Sequence, residues 1–151
     1  MTLSIRKATP ADAATIVEFN RRLALETEQK VLEPEIVAAG VAAALADPHK
    51  AVYFVAEEDQ YIVGQLSITL EWSDWRNGWL WWFQSVYVLP AARRRGVFKA
   101  LYQHVHQTAR ADREVIGLRL YVEKDNHAAQ QTYLRLGMEG TPYLLLQKYP
   151  L

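Results

Sequence analysis

The sequence predicts one α/β domain built on a mixed, mostly antiparallel sheet, and three observations support this fold class. Two strand-like runs at 51–56 and 61–70 are separated by a polar turn, which is typical of an antiparallel hairpin. Residues 79–122 follow the order strand, helix, strand, which implies a crossover between parallel strands. The length of 151 residues suits a single domain, 1–151, with a real hydrophobic core.

The first third of the chain is predicted as a strand followed by two helices. Residues 3–8 alternate between apolar and polar side chains, as in a short strand. Residues 9–12 read Thr-Pro-Ala-Asp, which combines an N-cap, a proline at the first helical position and an acid in the first turn. We therefore expect a helix to about Glu26, then a polar loop, then an alanine-rich helix that begins at Pro34 and ends before Asp47.

The middle of the chain is predicted as three consecutive antiparallel strands. Residues 51–56 are β-branched and aromatic, and they pair with 61–70 across a polar turn. Residues 73–78 end in Asn-Gly, which is a strong turn signal. This turn leads into the fourth strand, 79–88, which is apolar on both faces.

The last third of the chain is predicted as two helices and two strands. A helix that begins near Val97 carries an apolar stripe along one face, and residues 115–122 form the fifth strand. Residues 128–136 form a further helix, which ends at Gly137 because glycine accommodates the left-handed helix stop. Residues 143–148 are predicted as the last strand.

Composition and charge disfavour several classes of protein. The chain has 17 acidic and 17 basic side chains and a net charge of zero, whereas a general nucleic-acid or membrane-surface binder would carry a basic excess. The absence of cysteine excludes disulfides, thiolate metal sites and an acyl-cysteine intermediate. No metal is expected either, because none of the histidines has a metal-binding spacing: His49, His104, His106 and His127.

Two further features of the sequence concern localisation. No apolar run reaches the ~18 residues that a transmembrane helix needs. The N-terminus, MTLSIRKATP, lacks the apolar run of a signal peptide. We therefore expect a cytoplasmic protein.

A phosphate-binding pattern follows the fourth strand. The strand breaks at Pro90, passes through the basic turn 93–95 to Gly96, and leads into the helix that begins near Val97. The first backbone N–H groups of a helix have no partner within it, and the helix dipole is positive at that end. A strand, a glycine-containing turn and a helix N-terminus therefore suit a phosphate group, with the arginines and Lys99 adding mobile positive charge.

Three motifs give the chain its resemblance to a known family: Ser85-Val86-Tyr87-Val88-x-Pro90, Arg93-x-x-Gly96, and Asn126-x-x-Ala129-x-x-x-Tyr133-x-x-x-Gly137-Met138. On these residues the chain resembles the GNAT superfamily of N-acetyltransferases, and the order of elements agrees over almost the whole chain. The family's phosphate loop is usually Gln/Arg-x-x-Gly-x-Gly/Ala. This sequence departs from it at Phe98, where a small residue is usual.

The resemblance implies acetyl-CoA as co-substrate and direct acetyl transfer to an amine without a covalent enzyme intermediate. It implies that strands four and five splay apart and that the pantetheine arm pairs with the main chain of strand four. The residues it assigns to the cofactor are Val86, Tyr87, Val88, Arg93, Arg94, Arg95, Gly96, Val97, Phe98, Lys99, Asn126 and Tyr133.

The reaction needs a neutral amine, a stabilised oxyanion and a protonated leaving thiolate. A backbone N–H at the splay, that of Val86, suits the oxyanion. Tyr133, which shares a helix face with Asn126, is the expected acid; with a reference pKa of ~10 against ~8.5 for a thiol, its proton transfer depends on positioning. Glu71 is the expected base because it ends strand three near the acceptor side. Asp74 and Glu123 are alternatives.

The acceptor stays open at this point. A small-molecule amine is the first hypothesis, a peptide or protein amine the second, and a non-catalytic acyl-CoA sensor the third. A polyamine is disfavoured because related polyamine acetyltransferases carry an acidic pair where this chain has Gln84 and Ser85. Trp72 and Trp75 lie in or beside a turn, where they could line an acceptor pocket or form a homodimer interface.

Overall fold

The computed structural model describes residues 2–151, which divide into two compact units. The first unit ends at Leu120, and the second comprises Tyr121–Leu151. The first unit contains β1 (Leu3–Lys7), α1 (Ala13–Glu28), α2 (Pro34–Ala46), β2 (Val52–Glu58), β3 (Tyr61–Ser73), β4 (Gly78–Val88), α3 (Val97–Ala111) and β5 (Val115–Leu120). The second unit contains α4 (His127–Arg135).

The five strands form one sheet in the order β1-β2-β3-β4-β5. Neighbouring strands from β1 to β4 are antiparallel, whereas β4 and β5 are parallel. The predicted fold class is confirmed. The hairpin between β3 and β4 is longer than predicted, since β3 extends beyond residue 70 and the pairing closes at Ser73 opposite Gly78.

Helices pack on both faces of the sheet, and two neighbouring residues of β2 show this. Tyr53 belongs to a core cluster with Ile16 of α1 and Val41 of α2. The ring of Phe54 lies 5.3 Å from that of His104 in α3. Successive side chains of a strand point to opposite faces. The α1–α2 pair therefore covers one face and α3 the other, as the apolar stripe of α3 requires.

The start of α1 follows its predicted local signals. Residues Pro10–Asp12 form a short 3-10 turn before the helix. The Asp12 carboxylate accepts a hydrogen bond from the Thr9 backbone N–H at 2.7 Å and from the Arg6 guanidinium at 2.8 Å. These bonds lower the pKa of Asp12, the Arg6 contact most strongly. An acid in the first turn therefore anchors both the helix start and β1.

The second unit contains α4 and an irregular C-terminal segment. The Asn126 side chain caps the helix, because its Oδ1 accepts from the Ala129 N–H at 3.1 Å. Gly137, with φ +94°, follows the last turn, and the Met138 N–H donates to the Tyr133 carbonyl at 3.1 Å. The strand predicted at 143–148 is wrong, since these residues have no regular secondary structure. A strand requires a partner that accepts and donates its backbone hydrogen bonds, and propensity alone does not supply one.

No helix within the described part of the chain combines the length and the apolar character that a membrane crossing requires.

Candidate functional site

An irregularity interrupts β4 in its second half. Gln65 pairs with Tyr87 and Ser67 pairs with Gln84, so that two residues of β4 stand opposite one residue of β3. The two are Ser85 and Val86, and this arrangement is a β-bulge. Ser85 has φ +51°, which lies in the left-handed region that non-glycine residues rarely adopt. The backbone of β4 therefore changes direction at these two residues.

The bulge reverses which face the side chains of β4 occupy. Phe83 stacks on Tyr102 of α3, with ring centroids 5.4 Å apart. Tyr87, four residues later, packs on Phe19 of α1 at 5.2 Å. Residues four apart in a regular strand share a face. The extra residue places these two rings on opposite sides of the sheet instead.

Two side chains of β3 bind the carbonyl groups at the bulge. The Ser67 hydroxyl donates to the Gln84 carbonyl at 3.2 Å, and the Gln65 amide donates to the Ser85 carbonyl at 3.0 Å. Gln65 is 0% exposed and Ser67 2%. The carbonyls of Gln84 and Ser85 therefore accept hydrogen bonds from buried side chains, and buried backbone groups require such partners.

The parallel pairing of β4 and β5 ends before the bulge. Its last pair is Phe83 with Leu120, and β4 continues to Val88. Val86 has no register partner in β3 or in β5. Among residues 2–120, the second half of β4 thus has backbone groups on its β5 side that no strand covers. This is the splay that the resemblance implies.

The loop after β4 presents several backbone N–H groups. Arg94 has φ +62°, and Gly96, the N-cap of α3, has φ +82°. Within residues 2–151, five consecutive or nearly consecutive N–H groups donate to no backbone or side-chain acceptor: those of Arg94, Arg95, Gly96, Val97 and Lys99. Converging N–H groups in alternating conformations at a helix N-terminus form an anion-binding concavity.

The four basic side chains of this loop differ in whether they form ion pairs. Arg93 donates to the Val88 carbonyl at 2.9 Å and to Glu26 at 2.7 Å. Arg95 donates to Glu58 at 2.7 Å. The side chains of Arg94 and Lys99 form no ion pair with a described residue. Arg94 and Lys99 are thus available to a ligand. Arg93 and Arg95 would first have to release the carboxylates that they bind.

Glu26, at the end of α1, also contacts β4. Its carboxylate accepts from the Tyr87 hydroxyl at 3.1 Å as well as from Arg93. Arg93 holds the pKa of Glu26 below its ordinary value. Burial, together with Glu26, raises the pKa of Tyr87. The side chain of Tyr87 is thus engaged within the protein, and its main chain is the part that a cofactor could contact.

The start of α3 packs closely on β3. A Cβ added to Gly64 would lie 2.9 Å from the Val97 side chain and 3.3 Å from the Tyr87 carbonyl. A glycine is therefore required where the N-terminus of α3 crosses β3 beside the second half of β4. Phe98, where the family usually has a small residue, lies with its ring 6.3 Å from that of Tyr102.

The predicted base lies beside the first half of β4. The Glu71 carboxylate accepts from the Trp82 indole N–H at 2.8 Å and from Arg119 at 3.0 Å. Arg119 lies over the Trp82 ring at 5.9 Å. The three half-buried side chains come from β3, β4 and β5 and share one face of the sheet. The Glu71 carboxylate therefore already accepts hydrogen bonds from two side chains of the protein.

The other predicted residues belong to the second unit. Asn126 precedes α4 and Tyr133 lies in its last turns. Burial raises the pKa of Tyr133, so its phenol keeps its proton at neutral pH. A protonated hydroxyl is what a general acid requires.

A family model described as "Acetyltransferase (GNAT) family" matches residues 16–138. The chain belongs to the GNAT acetyltransferase family. The resemblance on which the sequence was assigned is therefore confirmed. GNAT enzymes use acetyl-CoA, so the expected co-substrate is confirmed as well.

Solved structures agree with this assignment. A "possible acetyltransferase from Clostridium difficile 630" is 40% identical, covers 100% of this chain and 99% of that chain, and superposes with a TM-score of 0.93. A predicted acetyltransferase with acetyl-CoA from Clostridium acetobutylicum is 19% identical and has a TM-score of 0.81; the match covers 97% of this chain and 96% of that chain. A ribosomal-protein-alanine N-acetyltransferase from Brucella melitensis biovar Abortus 2308 is 16% identical and has a TM-score of 0.80; the match covers 98% of this chain and 99% of that chain.

The two more distant structures share the fold alone. No curated protein matches the chain.

The GNAT fold brings the predicted residues together in two groups. Within the first unit, Val86, Val88 and the loop 93–99 lie at one end of β4, whereas Glu71 accompanies its first half. Within the second unit, Asn126 and Tyr133 belong to one short helix and its cap.

Sequence reasoning missed the side chains that support this end of β4. Gln65 and Ser67 alternate with apolar neighbours, a pattern typical of a strand face in water, yet both are buried. Glu26 has no sequence signal beyond its place near a helix end. The available signal was the pair of polar residues at alternate positions of β3, and it cannot be interpreted until the pairing of β3 with β4 is known.

Proposed function

We propose that this GNAT acetyltransferase moves an acetyl group from acetyl-CoA to a primary amine of a small molecule by direct attack, without an acyl-enzyme. The observation that carries this proposal is the second half of β4. It continues past its last pair with β5 and leads into a loop of unpaired N–H groups. Bound acetyl-CoA supplies the activated acetyl group.

The residues present fit the cofactor. Unpaired N–H groups between Arg94 and Lys99 suit a diphosphate, and the Arg94 and Lys99 side chains add charge without breaking an internal ion pair. The main chain from Val86 to Val88 offers the amide groups of a pantetheine arm a strand edge that β5 does not pair, although Arg93 binds its Val88 carbonyl. We further assign Asn126 and Tyr133 to cofactor contact, by their match to the family motif.

The residues of the chain divide the chemistry among them. The Val86 N–H donates toward the oxygen on which negative charge develops, and one such donor is typically worth about 10²–10³ in kcat. The Tyr133 hydroxyl gives its proton to the leaving sulfur. Glu71 takes the proton of the amine, directly or through a water, and Arg119 and Trp82 orient its carboxylate.

A second candidate function rests on one observation. The Glu71 carboxylate already accepts hydrogen bonds from Trp82 and Arg119, so an incoming amine would have to share it with two donors of the protein. A non-catalytic acyl-CoA sensor would keep the loop and tolerate this arrangement. Binding of acetyl-CoA without turnover of any amine would favour it.

We propose a homodimer as the assembly. Trp72 is 46% exposed and Trp75 85%, and both lie at the turn between β3 and β4. Large exposed apolar patches mark association surfaces. Sedimentation velocity over a range of concentrations tests this, and a single species with the mass of one chain would refute it.

The test of the function has two steps. Calorimetric titration of acetyl-CoA into the protein should give binding that the double variant Arg93→Ala/Gly96→Glu abolishes. Release of free thiol is then followed with small primary amines, with peptides bearing a free N-terminus or lysine, and without acceptor. Thiol release that depends on small amines supports the proposal. Dependence on peptides alone moves the acceptor to peptide or protein amines, and no binding by folded protein refutes the proposal altogether.

A further inference from the structure

Gln65 is buried in the middle of the sheet in a way that stability does not explain. Its side chain is 0% exposed. Its Oε1 is, among the residues described, the one buried side-chain polar atom without a hydrogen-bond partner. Burying an unsatisfied acceptor is destabilising, and an apolar side chain of the same shape avoids that loss. The amide at this position therefore needs another reason.

The amide nitrogen of Gln65 links two elements to the bulge. It donates to the Ser85 carbonyl at 3.0 Å and to the Asn20 Oδ1 at 2.8 Å. The Asn20 amide in turn donates to the Tyr53 hydroxyl at 3.1 Å. Gln65 is thus itself held by α1 and β2 through Asn20, and its remaining donor is aimed at β4.

The Ser85 carbonyl and the Val86 N–H belong to the same peptide group. That group is planar and trans, so its C=O and its N–H point in opposite directions. A hydrogen bond that holds the carbonyl toward Gln65 consequently fixes the N–H on the far side. Ser85 occupies a strained conformation, φ +51°, which persists only where the surroundings hold it.

We propose that Gln65 is a positioning residue that aims the Val86 N–H at the reacting carbonyl oxygen by binding the other end of the same peptide group. This inference rests on the proposed function, because it assigns the supporting partner of the donor named there. Ser67 assists from one peptide earlier through its bond to the Gln84 carbonyl.

The test compares two variants that each remove one buried polar contact of the same network. Gln65→Met keeps the length of the side chain and removes the donor to Ser85. Tyr53→Phe removes the hydroxyl at the opposite end of the network, which contacts Asn20 and not the bulge. Thermal unfolding of both variants shows that each is folded at the assay temperature.

Steady-state kinetics give the first readout. Gln65→Met should lower kcat by about 10- to 100-fold, a share of what deletion of a whole oxyanion donor costs, whereas the Kd of acetyl-CoA from calorimetry stays within about threefold, since no phosphate contact changes. Tyr53→Phe should leave kcat within about threefold of the wild type. An equal loss of kcat in both variants, or a Kd that rises in step with the loss, would overturn the proposal.

Nuclear magnetic resonance gives a second readout that needs no turnover. The Ser85 coupling constant reports its positive φ, and the exchange rate of the Val86 amide reports its surroundings. Both should change in Gln65→Met and remain in Tyr53→Phe. If the wild type acetylates no amine, the proposed function fails while these signals still decide the role of Gln65. An unchanged bulge in Gln65→Met refutes that role whatever the enzyme acetylates.

Discussion

The two halves of β4 differ in which partners form hydrogen bonds with their backbone N–H and C=O groups. Residues 79–83 are paired with β3 on one side and with β5 on the other. In residues 84–88, Gln84, Tyr87 and Val88 pair with β3 and not with β5, and Ser85 and Val86 form the bulge. Carbonyls of this half are bound by the side chains of Ser67, Gln65 and Arg93. In the first half neighbouring strands use the backbone groups. In the second half, side chains bind several of these groups, and the proposed function gives others to the cofactor.

Under the proposed function, this difference separates stability from function along a single strand. A doubly paired, aromatic segment holds the sheet together through packing and ladder bonds. A bulged, singly paired segment holds individual peptide groups in chosen directions, which a catalytic site needs. Changes in the first half should therefore act mainly on the free energy of unfolding, and changes in the second half mainly on rate and affinity.

The largest expected effect tests whether catalysis is confined to the second half. Glu71 lies on β3 opposite Leu80, in the first half of β4. Glu71→Gln keeps the shape of the side chain and removes its ability to accept a proton. If Glu71 takes the amine proton, kcat should fall by about 10²–10⁴-fold. Thr69→Val, on the same strand and face, is the matched control. An unchanged kcat in Glu71→Gln would leave the base to another group and keep the chemistry within the second half.

The next effect concerns stability in the first half. Phe83→Ala removes a buried ring that stacks on Tyr102, so the free energy of unfolding should fall by about 3–5 kcal/mol. Urea denaturation measures this fall. The kcat of the folded protein, assayed at low temperature, should stay near that of the wild type, because Phe83 lies on the α3 face. A loss of kcat larger than the loss of folded protein would remove the distinction between the two halves.

A pair of substitutions at Ser85 tests the second half directly. Valine at φ +51° is strained, so Ser85→Val should lower stability by about 1–3 kcal/mol and lower kcat with it. Glycine adopts this conformation without strain, so Ser85→Gly should retain both properties. Urea denaturation and the thiol-release assay are the measurements. Equal behaviour of the two variants would show that the left-handed conformation of Ser85 is not needed.

The smallest expected effect concerns the end of the second half. Under the proposed function, Glu26 competes with the cofactor diphosphate for Arg93, and both side chains are well exposed. Glu26→Gln should therefore tighten acetyl-CoA binding by about two- to fivefold, the range that an exposed ion pair allows. Calorimetry at neutral pH measures this. Weaker binding in the variant would mean that Glu26 holds Arg93 in place for the ligand.

The ion pair between Glu26 and Arg93 also predicts how acetyl-CoA affinity depends on pH. Arg93 lowers the pKa of Glu26 in the folded protein. The pair therefore contributes stability above the ordinary pKa of a glutamate, and this contribution is lost as the pH falls through the lowered value. Wild type and Glu26→Gln should accordingly differ in affinity at neutral pH and converge in acid. A difference that persists in acid would assign the effect to something other than the charge of Glu26.

Local signals determined most of the elements in this protein. The N-cap and proline at 9–12, the Asn-Gly turn before β4 and Gly137 after α4 mark element ends through the conformations of one or two residues. Such preferences act within a few residues, so a sequence displays them directly. The strand, the turn and the helix start at 79–97 are predictable for the same reason, since they are consecutive. That Arg93 and Arg95 pair with Glu26 and Glu58 is a tertiary result.

The tertiary structure alone decided the bulge. A serine at positive φ has no local signature, and its conformation depends on Gln65 and Ser67 from another strand. The burial of those two polar residues depends in turn on α1 packing over them. The segment 143–148 has the propensity of a strand and is not one, because propensity does not provide a hydrogen-bond partner. Where a backbone group is satisfied within a few residues, the sequence determined the structure; where its partner lies far along the chain, packing determined it.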